Sequence, residues 1–600
     1  MRFESKIDGD AIACMLEVDR DMAAPVLCFS GMAPMTARAG GEKIGGCGSF
    51  TEVQLPDLRA GEPYRLTLAY EDYEPVNRAW LPMGAYLRVE GEIVTLPHGP
   101  LGARHHDFSG VPDYDGLRLV PPPAKWKKEG GTTRAPGAHN PCAEFSEVAA
   151  LAERQGIGPF LDEKGVPVEH RSVEMPAEAY RITLSRDRII VEAGDSAGRF
   201  HAGITLLTLL RTHDGALPCG VIEDAPRFGW RGQHLDCARH FYEVGTILDL
   251  LDLMALLKMN RFHWHFADDE AFRLEIDSFP QLWQRTRMRG EGELIPGIFG
   301  GGARAGGSYA KRDAQAIVDR AKALCIEVLP EIEVPAHALA TGRVFPEVRD
   351  PDDTGTERSV QGYPRNAMNP ALPKTWEVLE AIAEEVGALF PFGHLHLGCD
   401  ELPKETWLGS PKARALMQRE GLAGTDDLQG WTMARLAKGV AANGQRPAAW
   451  EEAARGSNGG IGNGAILFSW TGQGPGLEAA AQGYDVVMCP GRNAYLDMAR
   501  SGDPDDWGAS WAGFVSLADT VDWDPLPDGR PDLAERIIGV QGCFWSEFTT
   551  RDAQMWPMLM PRMLGLASMA WSEVKPAPEV LERLAKHHRA VWSPRGETVD

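Results

Sequence analysis

GHLHLGCDEL, Gly393–Leu402, alternates apolar and polar residues and then closes on two adjacent carboxylates, Asp400 and Glu401, just ahead of Pro403. Neighbouring side chains of a strand point to opposite faces. Such a pair is therefore either one inward acid beside one solvated acid, or two acids converging from a bent strand end on a single small object. Seven further short apolar runs accompany it: GQHLD (232–236), RFHWHF (261–266), CIEVLPEIE (325–333), RPAAWEE (446–452), AILFSW (465–470), YDVVMCP (484–490) and VQGCFWSE (540–547). Several of these runs close on an acid, a His or a Trp, and the stretches between them can each hold a helix. The connector VGTILDLLDLMALLKMN sets apolar residues at 247, 250, 251, 254 and 257, one helical stripe. PKTWEVLEAIAEEVGALF carries Pro373 where a helix tolerates it. Eight strand–helix units predict a (β/α)8 TIM barrel over 225–600, with C-terminal helices and the strand-end polar groups gathered at one mouth.

Upstream, AIACMLEV, APVLCFS, YRLTLAYEDY and AYLRVEGEIVTL alternate with period two between Gly and Pro breaks. Residues 1–120 are thus expected to form a β-rich, sandwich-like domain. PPPAKWKKEGGTTRAPGAHN (121–140) reads as a linker. Residues 141–224 read as a small α+β domain, with strands AYRITLS and RIIVEAG followed by the helix DSAGRFHAGITLLTLLRT.

Across 600 residues, 61 Lys and Arg stand against 85 Asp and Glu, a formal charge of -24. That balance argues against a nucleic-acid backbone or an anionic membrane as the main partner. The ten cysteines include no CxxC pair, so they read as buried thiols and not as a disulfide scaffold or a zinc knot. Acids interrupt MRFESKIDGDAIACMLEVDR where a secretion signal needs an apolar run, and no segment has transmembrane character. A cytoplasmic enzyme is the expectation.

At the mouth, HWHFADD places His263 and His265 on one side of a strand, with Asp268 and Asp269 just beyond it. Three readings stand side by side: imidazoles filling a barrel interior, a zinc site completed by His337, His394, His396 and a carboxylate, or catalytic polar groups. Glu401 has the character of a general acid for glycoside cleavage. Asp400 is too near it in sequence for a pair of acids drawn from two strands. It is better suited to holding a substrate group that itself attacks, such as a 2-acetamido carbonyl closing an oxazolinium ring, with Asp400 beside the developing positive charge. Two solvated acids after a strand are the plain alternative. Arg231 in WRGQHLD suits either a clamp on substrate hydroxyls or a salt bridge in the barrel floor. Trp450, Trp470 and Trp545, each at an expected strand end, suggest a wall around a pyranose. Tyr495 and Asp497 in GRNAYLD suit an acetamido carbonyl and a ring hydroxyl, or a loop anchor.

RGQHLDCARHFYEVGTILDLLDLMALLKMNRFHWHFADDEAFRLEI, PEIEVPAH, HLHLGCDE, WEE, YLD and CFWSE, in this order, closely resemble the β-N-acetylhexosaminidases of glycoside hydrolase family 20, over roughly residues 145–575. The resemblance implies a sugar-binding Arg231, a polarising Asp400, an acid/base Glu401 and a supporting pair Asp268 and His337. It further implies an acetamido pocket of Trp450, Trp470 and Trp545, with Tyr495 on the carbonyl and Asp497 and Glu547 on ring hydroxyls. Three departures stand out: PEIEVPAH has Glu333 and Ala336 where Asp and Gly are usual, HLGCDE has Cys399 where Gly is usual, and the 407–445 loop differs from that of lysosomal members. The implied activity is retaining exo-cleavage of terminal β-linked N-acetylglucosamine, with N-acetylgalactosamine also open. It needs no metal or organic cofactor and takes a small-molecule substrate, the sugar-bearing end of an oligosaccharide or glycoconjugate. The competing readings are a metal-dependent hydrolase built on the His clusters and a binding protein without turnover. The oligomeric state, a homodimer included, is left open.

Overall fold

A computed structural model describes residues 1–592 except 98, 100, 140, 141 and 528. The first ninety-odd residues form two facing antiparallel sheets. One contains Arg2–Asp8, Ala11–Glu17, Tyr64–Tyr70 and Met35–Ala39 in that spatial order; the other contains Glu42–Cys47, Phe50–Gln54, Val26–Ser30, Met83–Val89 and Glu92–Thr95. Period-two alternation explains the pairing: Ile12, Cys14 and Leu16 of one sheet and Leu27, Val53 and Leu87 of the other turn into a common core. The sandwich lies directly on the barrel. Gly84, at φ +58°, lets its backbone approach Gly301 so closely that a Cβ would lie 2.6 Å from the Gly301 nitrogen.

The stretch expected to be a linker is partly a strand. Lys125–Arg134 pairs antiparallel with Ala216–Asp224 at the edge of a six-stranded sheet. Its Lys, Glu and Gly content misleads because an edge strand is largely exposed and needs little apolar sequence. The rest of that sheet is Tyr180–Leu184, Ile189–Ala193, Val166–Ser172 and Ala138–His139. Two helices pack together beside it: Ala143–Arg154, which sequence reading missed, and Ser196–Thr212. Asp195 caps the second by accepting from Gly198 N at 2.6 Å. That helix is buried nearly all round, because the C-terminal helix Pro578–Trp592 and the barrel helix Val244–Leu256 also pack against it.

All eight expected barrel strands are present and close in chain order: β1 (Trp230–Asp236), β2 (Arg261–His265), β3 (Glu327–Glu331), β4 (His394–His396), β5 (Arg446–Trp450), β6 (Ile466–Ser469), β7 (Asp485–Met488) and β8 (Ile537–Gly542). Pairing is parallel throughout, with β8 returning to β1. Major helices include Val244–Leu256, Lys311–Ala323, Pro373–Leu389, Thr425–Ala442, Gln473–Ala481 and Arg562–Trp571. The seventh unit departs from the simple repeat. Between β7 and β8 the described chain has only the short helix Gly491–Ala494 and a 3-10 turn at Pro531–Leu533. The Gly, Pro and Asp residues of SGDPDDWG and DWDPLP break helical propagation there.

A buried polar knot joins the middle domain to the barrel. Lys258 Nζ donates to Asp224 Oδ2 at 2.8 Å and Trp571 Nε1 donates to Asp224 Oδ1 at 2.9 Å. All ten cysteines are free thiols. Among the described residues no helix is long and apolar enough to cross a membrane.

Candidate active site

The site is assembled from strand C-termini. Asp400 and Glu401 follow β4 on a backbone that bends sharply: Gly398, Cys399 and Glu401 have φ of +69°, +88° and +52°. A Cβ at Gly398 would fall 1.9 Å from the Glu333 carboxylate, so glycine is required there. The turn breaks strand alternation and aims both acids into one cavity of about 290 Å³, which also takes in Trp450, Trp470, Trp545, Tyr495, Asp497 and Glu547. Two converging acids, not one inward and one solvated, is therefore the arrangement adopted. The Asp400 side chain is 11% exposed and the Glu401 side chain 25%, so Glu401 lies nearer solvent.

Behind the acids runs a connected polar chain. His337 Nε2 lies 3.4 Å from Glu401 Oε2 and 3.5 Å from Asp400 Oδ2, while its Nδ1 lies 3.1 Å from Asp268 Oδ1. Burial disfavours the charged imidazole, but Asp268 and Asp400 outweigh it and raise the His337 pKa well above the usual range. Burial likewise opposes ionisation of Asp268, but Arg239 and His337 hold its carboxyl far below the ordinary value. Asp268 Oδ2 also meets His265 Nε2 at 3.0 Å, and His265 Nδ1 meets Glu331 Oε2 at 2.5 Å. Between two carboxylates, and despite burial, His265 rises to about 10 and is an imidazolium.

The five imidazoles of the zinc reading do not share one point: three gather on Glu331, where His263, His396 and Glu331 lie close enough to share an ion, and two stand apart. His263 and His396 join His265 on the wholly buried Glu331 beneath the pocket, at 3.1 and 2.8 Å. His337 sits above with the acids. His394, at the start of β4, stacks on Phe392 at 4.3 Å between ring centroids. His263 and His396 are wholly buried in the barrel interior against Glu331, His394 is half-buried at the start of β4, and His265 and His337 belong to the polar chain.

Arg231 is the main correction. It lies near the start of β1, at the barrel floor, where it pairs with Glu178 and donates to the carbonyls of Lys258 and Phe228 at 2.8 and 2.9 Å. The arginine in the cavity is Arg239, three residues past the end of the same strand. It meets Asp268 Oδ2 and Glu270 Oε2, each at 2.9 Å, and its guanidinium carbon stands 5.3 Å from the Trp545 ring centroid. Strand direction was the available signal, since barrel chemistry collects at C-terminal ends.

The aromatic residues form a connected wall. Trp450 and Trp545 have ring centroids 5.9 Å apart, and Trp470 stacks on Tyr495 at 6.3 Å and 17°. Trp450 Nε1 donates to Glu331 Oε1 at 2.9 Å and Trp470 Nε1 to Glu452 Oε2 at 3.0 Å, which fixes both indoles. Trp511, missed in the sequence, meets both Trp470 and Tyr495 edge-on. Desolvation pushes Glu547 up to about 7 and raises Asp497 well above the carboxylate range. Gln361, also missed, donates to Glu547 Oε1 at 3.1 Å. Asp400 Oδ1 and Asp497 Oδ1 are buried without a partner among the described residues; such orphans call for an explanation, and a ligand's donors supply one.

Two departures are accommodated. The Ala336 methyl enters a small apolar cluster with Leu402 and Trp407, and His337 still reaches the acids. Glu333 is buried and accepts from Cys399 N at 3.1 Å, so it braces the turn, and burial beside Asp400 raises its pKa well above the usual range. Cys399 lies buried under Gln429, with its thiol pKa raised by burial, outside the cavity lining.

A barrel whose mouth sets a linked carboxyl pair in a Trp-lined cavity of single-sugar size has the features of a glycoside hydrolase. Comparison with known proteins specifies which kind. Residues 228–574 match the model "Glycosyl hydrolase family 20, catalytic domain" and residues 117–225 match "Glycosyl hydrolase family 20, domain 2". The chain belongs to glycosyl hydrolase family 20. A beta-hexosaminidase of Vibrio furnissii is 38% identical over 406 residues, 66% of each chain. The match to a beta-hexosaminidase of Porphyromonas gingivalis covers 61% of that protein, at 28% identity. The crystal structure of an exo beta-N-acetylglucosaminidase from Vibrio harveyi in complex with N-acetylglucosamine superposes with a TM-score of 0.87 at 27% identity, over 98% of this chain and 97% of that one. A Streptomyces plicatus N-acetyl-beta-hexosaminidase structure reaches 0.65 at 25% identity over 80% of this chain and 95% of that one.

Proposed function

We propose that the protein is an exo-acting β-N-acetylhexosaminidase. It releases terminal non-reducing β-linked N-acetylglucosamine, and N-acetylgalactosamine to the extent that Arg239, Asp497 and Glu547 tolerate the 4-epimer, with retention of configuration. The observation that carries this reading is the convergence of Asp400 and Glu401 on one Trp-lined cavity, with Glu401 tied through His337 to Asp268.

The chemistry follows from what each group offers. Asp400, with one oxygen unpartnered, accepts the acetamido N–H and aligns the carbonyl oxygen with the anomeric carbon. Tyr495 donates to that oxygen, and the indoles of Trp450, Trp470 and Trp545 enclose the methyl. As the carbonyl attacks, an oxazolinium forms and its positive charge develops against Asp400 in a dry cavity, where a fixed carboxylate stabilises it strongly. Glu401 protonates the departing oxygen and then deprotonates the water that opens the ring. His337, held by Asp268, supports the proton movements at Glu401. Arg239, Asp497 and Glu547 hold ring hydroxyls at the closed end, which admits only a terminal sugar.

No step calls for a metal or an organic cofactor. The partner is a small-molecule glycan, and the net charge of -24 disfavours nucleic acid. A cytoplasmic location belongs to the same reading, supported by ten unpaired thiols. The deciding experiment measures hydrolysis of a panel of defined disaccharides and follows the anomer first formed by NMR. Turnover of N-acetyl substrates giving the β-anomer is expected. Equal turnover of plain glucosides, or the α-anomer first, would overturn the mechanism.

A further inference from the structure

The cavity is not built by the barrel alone. Met32, Ala33, Tyr73 and Trp80, all from the N-terminal β-sandwich, line it together with Asp400 and Glu401. This wall is tied together and bolted to the barrel. Tyr70 OH accepts from Met32 N at 3.1 Å and donates to Trp80 O at 2.7 Å, coupling the two sandwich loops. Arg78 N donates to Pro504 O at 3.1 Å, and Asn77 Nδ2 donates to Gly508 O at 3.0 Å. The 498–511 loop, which presents Trp511, is thereby held against the sandwich.

Two observations show what the wall is for. Tyr73 is 43% exposed at the rim, with its ring centroid 6.1 Å from that of Trp80, and Trp511 and Val360 of the same cavity are about half exposed. Aromatic and apolar faces left open around a polar cavity mark a binding groove. Trp80, by contrast, is buried, and its indole N–H finds no acceptor among the described residues. Tyr73 lines the same cavity as Glu401, the acid that meets the departing oxygen, and its exposed ring stands where the cavity opens to solvent, the side by which a departing sugar leaves.

We propose that the β-sandwich supplies the wall of the subsite for the departing sugar, with Tyr73 stacking on its apolar face. The inference rests on the hexosaminidase reading above and narrows its substrate class to glycans whose second unit is itself a pyranose. A merely structural sandwich would leave this selectivity to the barrel.

The test uses the full-length enzyme and its Tyr73→Ala and Tyr73→Phe variants. KM and kcat are measured with the β-1,4 disaccharide of N-acetylglucosamine. In parallel, Ki is measured for a thiazoline of N-acetylglucosamine, which fills only the first-sugar position. Tyr73→Ala is expected to raise KM for the disaccharide by roughly tenfold, the worth of one stacking face. Ki should hold constant and Tyr73→Phe should behave as the parent. An unchanged disaccharide KM in Tyr73→Ala, or an equal change in KM and Ki, overturns the inference while leaving the hexosaminidase reading intact. A parent enzyme that cleaves no N-acetylglucosaminide removes both.

Discussion

His337 Nε2 stands 3.4 Å from Glu401 Oε2, and this contact couples the solvent-facing acid of the pocket to a charge network reaching the barrel centre. Through Nδ1 the same ring meets Asp268, which is held in turn by Arg239 and His265. Glu401 is the terminus of this chain and Asp400 stands beside it, so the two acids take separable roles.

Substitution distinguishes those roles. Glu401→Gln is expected to lower kcat by about 10²–10⁴-fold on glycosides with poor leaving groups. The loss should be much smaller on an aryl glycoside whose phenol leaves without protonation. Asp400→Asn is expected to lose about 10²–10³-fold on both. Steady-state kinetics on the two substrate types check this, and a similar leaving-group sensitivity in the two variants would contradict it.

Arg231 and Arg239 make a matched pair. Arg239→Ala should raise KM and lower kcat/KM by at least about 100-fold, because a buried guanidinium that lines the pocket and holds Asp268 is lost. Arg231→Ala should leave KM unchanged but destabilise the fold by about 3–5 kcal/mol, since it strands Glu178 and buried carbonyls at the barrel floor. Denaturant unfolding of the two variants beside their kinetics decides the matter; a KM effect at Arg231 would return it to the site.

A chelator discriminates between the enzyme readings. Dialysis against EDTA is expected to leave the rate on an N-acetylglucosaminide unchanged, because Asp400 and Glu401 act as carboxyl groups. A loss of rate restored by zinc would favour the metal-dependent alternative, for which His337, Asp400 and Glu401 lie close enough to share an ion.

His265 carries a pH signature. Its pKa is raised to about 10 in the fold, against about 6.5 in the unfolded chain. The folded state therefore holds the extra proton, so this contribution to stability is full below about pH 6.5 and is lost as pH rises through about 10. Thermal unfolding should show Tm falling across that window, and imidazole NMR should find His265 still protonated at pH 8. A neutral ring at pH 8 would remove the imidazolium from the network.

Much of this molecule is legible in its sequence because the relevant periodicities are local. Eight short apolar runs mark eight strands wherever the barrel places them, and residues of HLGCDE, YLD and CFWSE line the cavity at three of the strand ends. The hydrophobic pattern around Ser196–Thr212 likewise announces a helix without reference to its partners. The Lys125–Arg134 strand escapes the same reading because an exposed edge imposes almost no apolar pattern on its residues.

Chain sequence alone thus determined the architecture and most of the groups at the mouth. Tertiary structure decided which end of a strand each group occupies and what surrounds it. Arg231 and Arg239 are eight residues apart in one motif, yet one strand's length separates the barrel floor from the cavity. The gathering of His263, His265 and His396 on Glu331, and the entry of Tyr73 and Trp80 into a pocket made mainly by residues hundreds of positions away, depend on contacts between distant segments. Periodicity reports which face of an element is buried; only the closed fold reports against what.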